Sequence, residues 1–193
     1  LKVILVDRDE KKLIGGLAKE SFGGMFFVGS PQQKWTGIKD NADLALRDWL
    51  ANAEFGEEDI WPTKWAEFYV NNCTELGYKW LRKKGVGFLP VVNWVERSSD
   101  NNPGNSVPRF HIVWGSGKGL SDTLVERLLT HRNRGNLKVL FRHKVTEIIN
   151  NDGLITGLSG VDEETNSNFT VKADNTIIAS GGICGSIEQV KAN

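Results

Sequence analysis

The chain opens on an apolar run, Leu1 to Val6, interrupted only by Lys2 and closed by Asp7. A short run rich in Val, Ile and Leu without polar alternation predicts a strand buried on both faces of a parallel sheet. Two glycine pairs, Gly15-Gly16 and Gly23-Gly24, punctuate the residues that follow, so the pattern passes there from strand to glycine-rich loop. Apolar residues at helical spacing then predict helices over 43–53 and 61–84. The second carries Trp65, Phe68, Tyr69, Leu76, Trp80 and Leu81 along much of one face. Asp40 is the candidate cap of the first helix. Pro62 suits an early position in the second, and Gly85 suits a stop after the basic residues Arg82, Lys83 and Lys84.

Short β-like pieces follow at 86–92 and 109–114, separated by a polar loop from Ser98 to Asn105 that is expected to be mobile. A helix over 120–134, with Ser121 and Asp122 near its start, leads into an apolar strand at 137–142. Successive strands at 144–150, 153–161 and 168–173 predict an antiparallel meander, with Asn151-Asp152-Gly153 as a hairpin turn signal. Thr176 to Ala179 predicts a further buried strand that runs directly into Ser180-Gly181-Gly182. There is no internal repeat and no low-complexity tract.

Composition narrows the classes available. Lys plus Arg (24) cancels Asp plus Glu (24), which gives no electrostatic pull toward nucleic acid or anionic lipid. Cys73 and Cys184 stand alone and lack metal-type spacing, so a reducing, cytoplasmic setting is the default and no metal site is expected. No apolar run approaches the roughly 18 residues of a membrane span. The first residue is Leu rather than Met, inside a strand already under way, and Ser186 to Asn193 reads as the opening of a helix. The expectation is a piece of a longer protein.

Several residues are candidates for chemistry. An acidic side chain at the end of a buried strand, here Asp7, suits the two hydroxyls of an adenosine ribose, although such residues also form turns. Glycine pairs after such a strand let backbone N–H groups face a pyrophosphate or a flavin edge, or they make tight turns. His111, after Pro108-Arg109-Phe110 and before Gly115, Gly117 and Gly119, suits a proton donor or a loop-bonding histidine, the second being favoured. Arg109 suits a substrate carboxylate or an acidic neighbour. His131 and His143 read as surface residues. Of the seven tryptophans, Trp49, Trp61, Trp65 and Trp80 read as core or interface anchors, and Trp94 and Trp114, in the less regular region, are kept as possible ligand contacts.

The stretch Val3-Ile4-Leu5-Val6-Asp7, Gly15-Gly16, Lys19 and Gly23-Gly24-Met25 resembles the second strand and flavin loop of the fumarate reductase and ketosteroid dehydrogenase group of FAD-binding dehydrogenases. Trp80-Leu81 to Gly85-Val86, Asn105 to His111, Arg142 to Ile148, and Ile177 to Gly182 are similar to further tracts of that family, in the same order. The resemblance implies an α/β fold, an incomplete Rossmann-like FAD/NAD(P)-binding domain with a helical insertion and an antiparallel β-meander. The FAD-binding part would cover 1–38 and 109–193, and the insertion 39–108.

It also implies FAD as cofactor and hydride transfer between the flavin and a carbon beside a carbonyl-type group of a small-molecule substrate. Asp7 would hold the ribose, Val145 would meet the adenine through its backbone, and Ser180 and Gly181 would lie beside the cofactor. Gly15, Gly16, Leu17, Phe22, Gly23 and Gly24 would line the flavin and its phosphates. Leu17 and Ala18 depart from the family, which has polar residues there, so side-chain bonds to the flavin are not implied at those positions. The catalytic acid or base is unassigned, with His111 and Arg109 as weak candidates. The family's Gly-x-Gly-x-x-Gly turn would precede Leu1 and its capping domain would follow, so residues 1–193 alone are expected to bind FAD poorly. A nicotinamide-linked dehydrogenase is the alternative enzyme, but a plain dinucleotide unit would place a helix after Asp7. A non-catalytic nucleotide-binding or interaction module is the third reading.

Overall fold

Strands and helices mix along the residues described by the computed structural model, 1–94, 104–182 and 185–192. In chain order they are β1 (Val3–Val6), β2 (Gly24–Phe26), α1 (Pro31–Trp35), α2 (Ala42–Ala53), α3 (Ile60–Asn72), α4 (Trp80–Lys84), β3 (Phe88–Asn93), β4 (Phe110–Val113), α5 (Ser116–Leu129), β5 (Leu137–Leu140), β6 (His143–Asn151), β7 (Leu154–Asp162), β8 (Ser167–Lys172) and α6 (Ile187–Ala192). They divide into two units: residues 1–13 with the chain from Asn136 onward, and Ile14–Gly135.

In the first unit β1 pairs in parallel with β5, Val3 opposite Leu137 through Val6 opposite Leu140. The strand is where the apolar run predicts it, but its burial is not. Val3 and Ile4 are 48% and 45% exposed, because β5 is the only strand beside β1 among the described residues. The meander forms as expected, an antiparallel sheet in the order β6-β7-β8. Its first reversal places Asp152 and Gly153 at φ 52° and 90°, the left-handed pair that matches the twist of the flanking strands. The strand expected over 176–179 does not form. No strand pairs with it among the described residues, Ile177 and Ile178 lie 91% and 65% exposed, and Thr176 Oγ1 is buried without a hydrogen-bond partner.

The second unit is built on the antiparallel sheet β2-β4-β3, with Met25 opposite His111. Its core gathers Phe27, Val28, Ala45, Val70, Cys73, Tyr78, Leu81, Val86 and Val113. α2 starts one residue later than Asp40 suggests: Asn41 Oδ1 accepts the Leu44 N–H, and Asp40 is drawn into the interior instead. The expected helix 61–84 forms as α3, a π-helical stretch over Cys73–Lys79, and α4, and Gly85 ends it with φ 100°. Its buried face differs from the predicted one. Ala66, Val70 and Cys73 follow α spacing, then Tyr78 comes five residues on and Leu81 three more. A π turn bonds i to i+5 and absorbs one extra residue, so the packed stripe steps sideways. Of the predicted face only Leu81 is buried, and Trp65, Phe68, Leu76 and Trp80 remain on the surface. α5 begins at Ser116, ahead of the expected 120, because the left-handed Gly115 (φ 84°) opens the helix there. Most of the polar loop, residues 98–103, lies outside the described residues, as does Cys184.

Candidate cofactor site

Asp7 is held from both sides of its peptide. Its N–H donates to Leu140 O at 2.9 Å, and its carbonyl accepts the His143 N–H at 3.1 Å. Oδ1 accepts the Asp9 N–H at 2.9 Å, which is the turn-forming role. Oδ2 has no hydrogen bond among the described residues, so one carboxylate oxygen at the end of a fixed strand is left for a hydroxyl donor. Around it, Arg142 N–H donates to Asp9 O, and Arg142 Nη2 lies 2.6 Å from Glu10 Oε1. The Lys12 hydrogen bond, with the Arg142 charge beside it, holds the Glu10 carboxyl below its usual range. Arg8 forks onto Glu163 of the meander.

Val145 lies on β6, the outer strand of its sheet, directly before an irregularity in the pairing with β7. Such a break leaves main-chain groups unmatched by the ladder. Ser180 and Gly181 follow β8 on an exposed, irregular stretch. A Cβ on Gly16, Gly181 or Gly182 would meet open space. At Gly182, where φ is also outside the left-handed region, nothing among the described residues requires glycine. At Gly181 and Gly182 the backbone is therefore open to a ligand.

No α-helix follows Asp7. The chain instead makes short 3₁₀ turns over Lys11–Leu13 and Gly16–Glu20 before β2. Leu17 and Phe22 project from this loop 86% and 65% exposed. The second glycine pair has a different role from Gly16. A Cβ on Gly23 would fall 2.6 Å from the Ser116 carbonyl carbon, and one on Gly24 would fall 1.6 Å from the Phe110 ring. Gly23 and Gly24 are therefore spent on packing inside their own unit.

Arg109 and His111 are both fully buried. Arg109 Nε and Nη2 grip Asp40, with the shortest contact 2.8 Å, and Nη1 donates to Asp48 Oδ2 at 2.6 Å and to Asn105 Oδ1 at 2.8 Å. Burial would lower the Arg109 pKa and raise that of Asp48. The ion pairs and hydrogen bonds override both, including those from Ser106 N–H and Oγ to Asp48, and hold the two groups charged. His111 Nδ1 faces the Arg109 carbonyl at 2.8 Å, which can only accept, so Nδ1 carries the proton and Nε2 accepts from Ser30 Oγ at 2.7 Å. Burial pushes the His111 pKa down, against the pull of the Arg109 and Met25 backbone and the Asp40 charge. Its ring stands edge-on among Phe27, Tyr78 and Phe88. Both ring nitrogens are committed, and Arg109 takes the acidic neighbours that were one of its two readings.

The residues missed from sequence are the partners Ser30, Gln33, Asp40 and Asp48. One signal was available: Ser30-Pro31-Gln32-Gln33 has the spacing of a capping box, and Ser30 and Gln33 bond reciprocally at the start of α1. Nothing local marks Asp40 or Asp48 as ion-pair partners for a residue some 60 positions away. Trp94 and Trp114 are 45% and 67% exposed. Among the described residues no group of three or more His, Cys, Asp or Glu is placed to hold a metal, and no helix is long and apolar enough to cross a membrane.

A parallel strand ending in a fixed carboxylate, a glycine loop in place of a helix, and antiparallel sheets in both units make up a mixed α/β architecture. Residues 1–193 match the FAD binding domain family, and the chain belongs to it, with FAD as cofactor. It is 41% identical to a KsdD-like steroid dehydrogenase of Mycolicibacterium smegmatis over 99% of this chain and 37% of that protein. It is 26% identical to a fumarate reductase (cytochrome) of Shewanella frigidimarina over 98% of this chain and 30% of that protein. The solved apo Sdh1 complex of Mycobacterium smegmatis shares the fold with a TM-score of 0.73 at 20% identity, covering 95% of this chain and 30% of that one. The chain thus spans about a third of the length of the relatives it matches.

Proposed function

We propose that the chain is the central part of an FAD-binding domain in an oxidoreductase that moves a hydride between flavin and a carbon next to a carbonyl-type group. The observation that carries this is the Asp7 carboxylate, fixed by its peptide and open at Oδ2, followed by a glycine loop rather than a helix. In this reading β1 and β5 belong to a Rossmann-like sheet, Asp7 holds the ribose, Val145 meets the adenine, and Ser180 and Gly181 lie beside the cofactor. Gly15, Gly16, Leu17 and Phe22 form the flavin wall by main chain and apolar side chains, and Gly23 and Gly24, packed against Ser116 and Phe110, support it from behind. The insertion at 39–108 carries the Arg109 partners Asp40 and Asp48. FAD, when bound, supplies the hydride acceptor or donor. The name of the 41% relative points to a steroid, and a steroid ketone would supply the activating carbonyl. Arg109 and His111 act in this reading as a structural cluster, and the proton-transferring residue lies elsewhere.

The absorbance spectrum of the full-length protein is the direct test. The expected result is flavin bands in the visible, bleached anaerobically by a saturated steroid ketone. A colourless protein that takes up no added FAD sinks the proposal.

A further inference from the structure

The glycine loop from Gly15 to Gly24 does not stand alone: it is seated on the head of α5. Gly117 N–H donates to Ser21 O at 2.8 Å, so the first turn of the helix captures a carbonyl of the loop. The approach is too close for any side chain at 117. A Cβ there would lie 2.0 Å from Ala18 O, 2.3 Å from Ser21 Oγ and 2.6 Å from Ser21 O. The fit is reciprocal, because a Cβ on Gly23 would lie 2.6–2.9 Å from Ser116 and Gly117 backbone atoms, and one on Gly15 would lie 3.1 Å from Ser121 Cβ as well as 2.9 Å from the flexible end of Lys19. Ser121, one turn further along α5, is itself buried. Four contacts therefore tie both ends of the loop and its middle to one helix end, while Gly16 and the exposed Leu17 and Phe22 are left on the outside.

We infer that the head of α5, Gly117 above all with Ser121 behind it, is the template that fixes the flavin-facing loop, so that Gly117 is a positioning residue for FAD although it makes no contact with it. This rests on the proposed role of residues 15–24 at the flavin. Gly117 has a φ outside the left-handed region and sits inside a helix, where alanine is intrinsically better than glycine. Gly117→Ala thus favours the helix and displaces only what packs on it.

The test uses the full-length flavoprotein, its Gly117→Ala variant, and Ser121→Val as a milder push applied at Gly15. Two readings are taken: hydrogen exchange of residues 15–24 in the FAD-free protein, and FAD affinity with the visible circular dichroism of the bound flavin. The expected result is faster exchange confined to the loop and FAD binding weakened by about tenfold or more, with altered flavin dichroism and unchanged exchange along α5. Ser121→Val moves the same readings less far and covers the case in which Gly117→Ala fails to fold. Unchanged loop exchange and wild-type FAD affinity in the folded variants overturn the inference. So does faster loop exchange with unaltered FAD affinity, which would show the loop set by α5 but idle toward the cofactor. A wild-type protein that binds no FAD instead removes the functional reading beneath it, and is told apart by the wild-type measurement alone.

Discussion

Arg109 shows how far a single residue's role depends on what lies around it. Its side chain and that of Asp40 are fully buried, and Asp48 is nearly so. Removing the guanidinium would leave two carboxylates in the interior without a counter-charge, so Arg109→Ala is expected to cost about 3–5 kcal/mol, read as a lower denaturant midpoint. His111 makes a pH-dependent contribution. Its folded pKa lies below the unfolded value near 6.5, so the unfolded chain binds the extra proton between the two. Stability is then fully present above about pH 6.5 and falls as the pH drops toward the folded value. Denaturant midpoints between about pH 5 and 7 are expected to slope upward in the parent and to flatten in His111→Gln. Sequence reasoning reached the right residues here and, for His111, favoured the hydrogen-bonding role. It could not supply the partners, because Asp40, just before α2, and Asp48, on it, meet Arg109 only in the folded chain.

At the scale of elements, the strands and turns of the meander and the stop at Gly85 were legible, since each rests on local period or on a residue suited to a left-handed turn. Burial was not. The face of α3 and α4 was misjudged because a π turn is invisible to a fixed 3.6 period, and the core-facing residue that resumes after it, Tyr78, is set by tertiary packing on Phe27 and Phe88. The strand expected over 176–179 has the right composition but no neighbour among the described residues to pair with. Two substitutions probe the elements directly. Asn41→Ala removes the cap of α2 and is expected to lower stability by about 1 kcal/mol, while Asp40→Ala acts through Arg109 instead. Gly24→Ala drives a methyl group into Phe110 at the β2–β4 pairing and is expected to cost about 3 kcal/mol. Adding Phe110→Ala to it should recover part of that loss, and a denaturation cycle over the four proteins measures the coupling.

For the whole molecule, the family resemblance identified the cofactor as FAD from ordered tracts, whereas composition alone stopped at an ordinary neutral chain. The resemblance tract Asn105 to His111 turns out to be the buried Arg109 cluster, so a shared tract can mark a shared interior as readily as a shared active site. Full-length protein is expected to bind FAD at least about tenfold more tightly than residues 1–193 alone, as measured by titration of flavin fluorescence. The motive is the exposure of Val3, Ile4, Ile177 and Ile178 in the unit that carries Asp7, together with the third of the relatives' length that this chain spans. Equal affinities would show that the described residues hold the cofactor unaided.

The surface tryptophans of the α3–α4 rod have an optical consequence. Trp61, Trp65 and Trp80 stand 68%, 64% and 47% in solvent, with Lys64 and Lys84 lying over the first and last of them. Indole in water emits to the red, and that emission overlaps the absorption of oxidised flavin. The rod is thus a built-in lamp: its colour registers whether further protein covers it, and its quenching registers the arrival of FAD, with no label added.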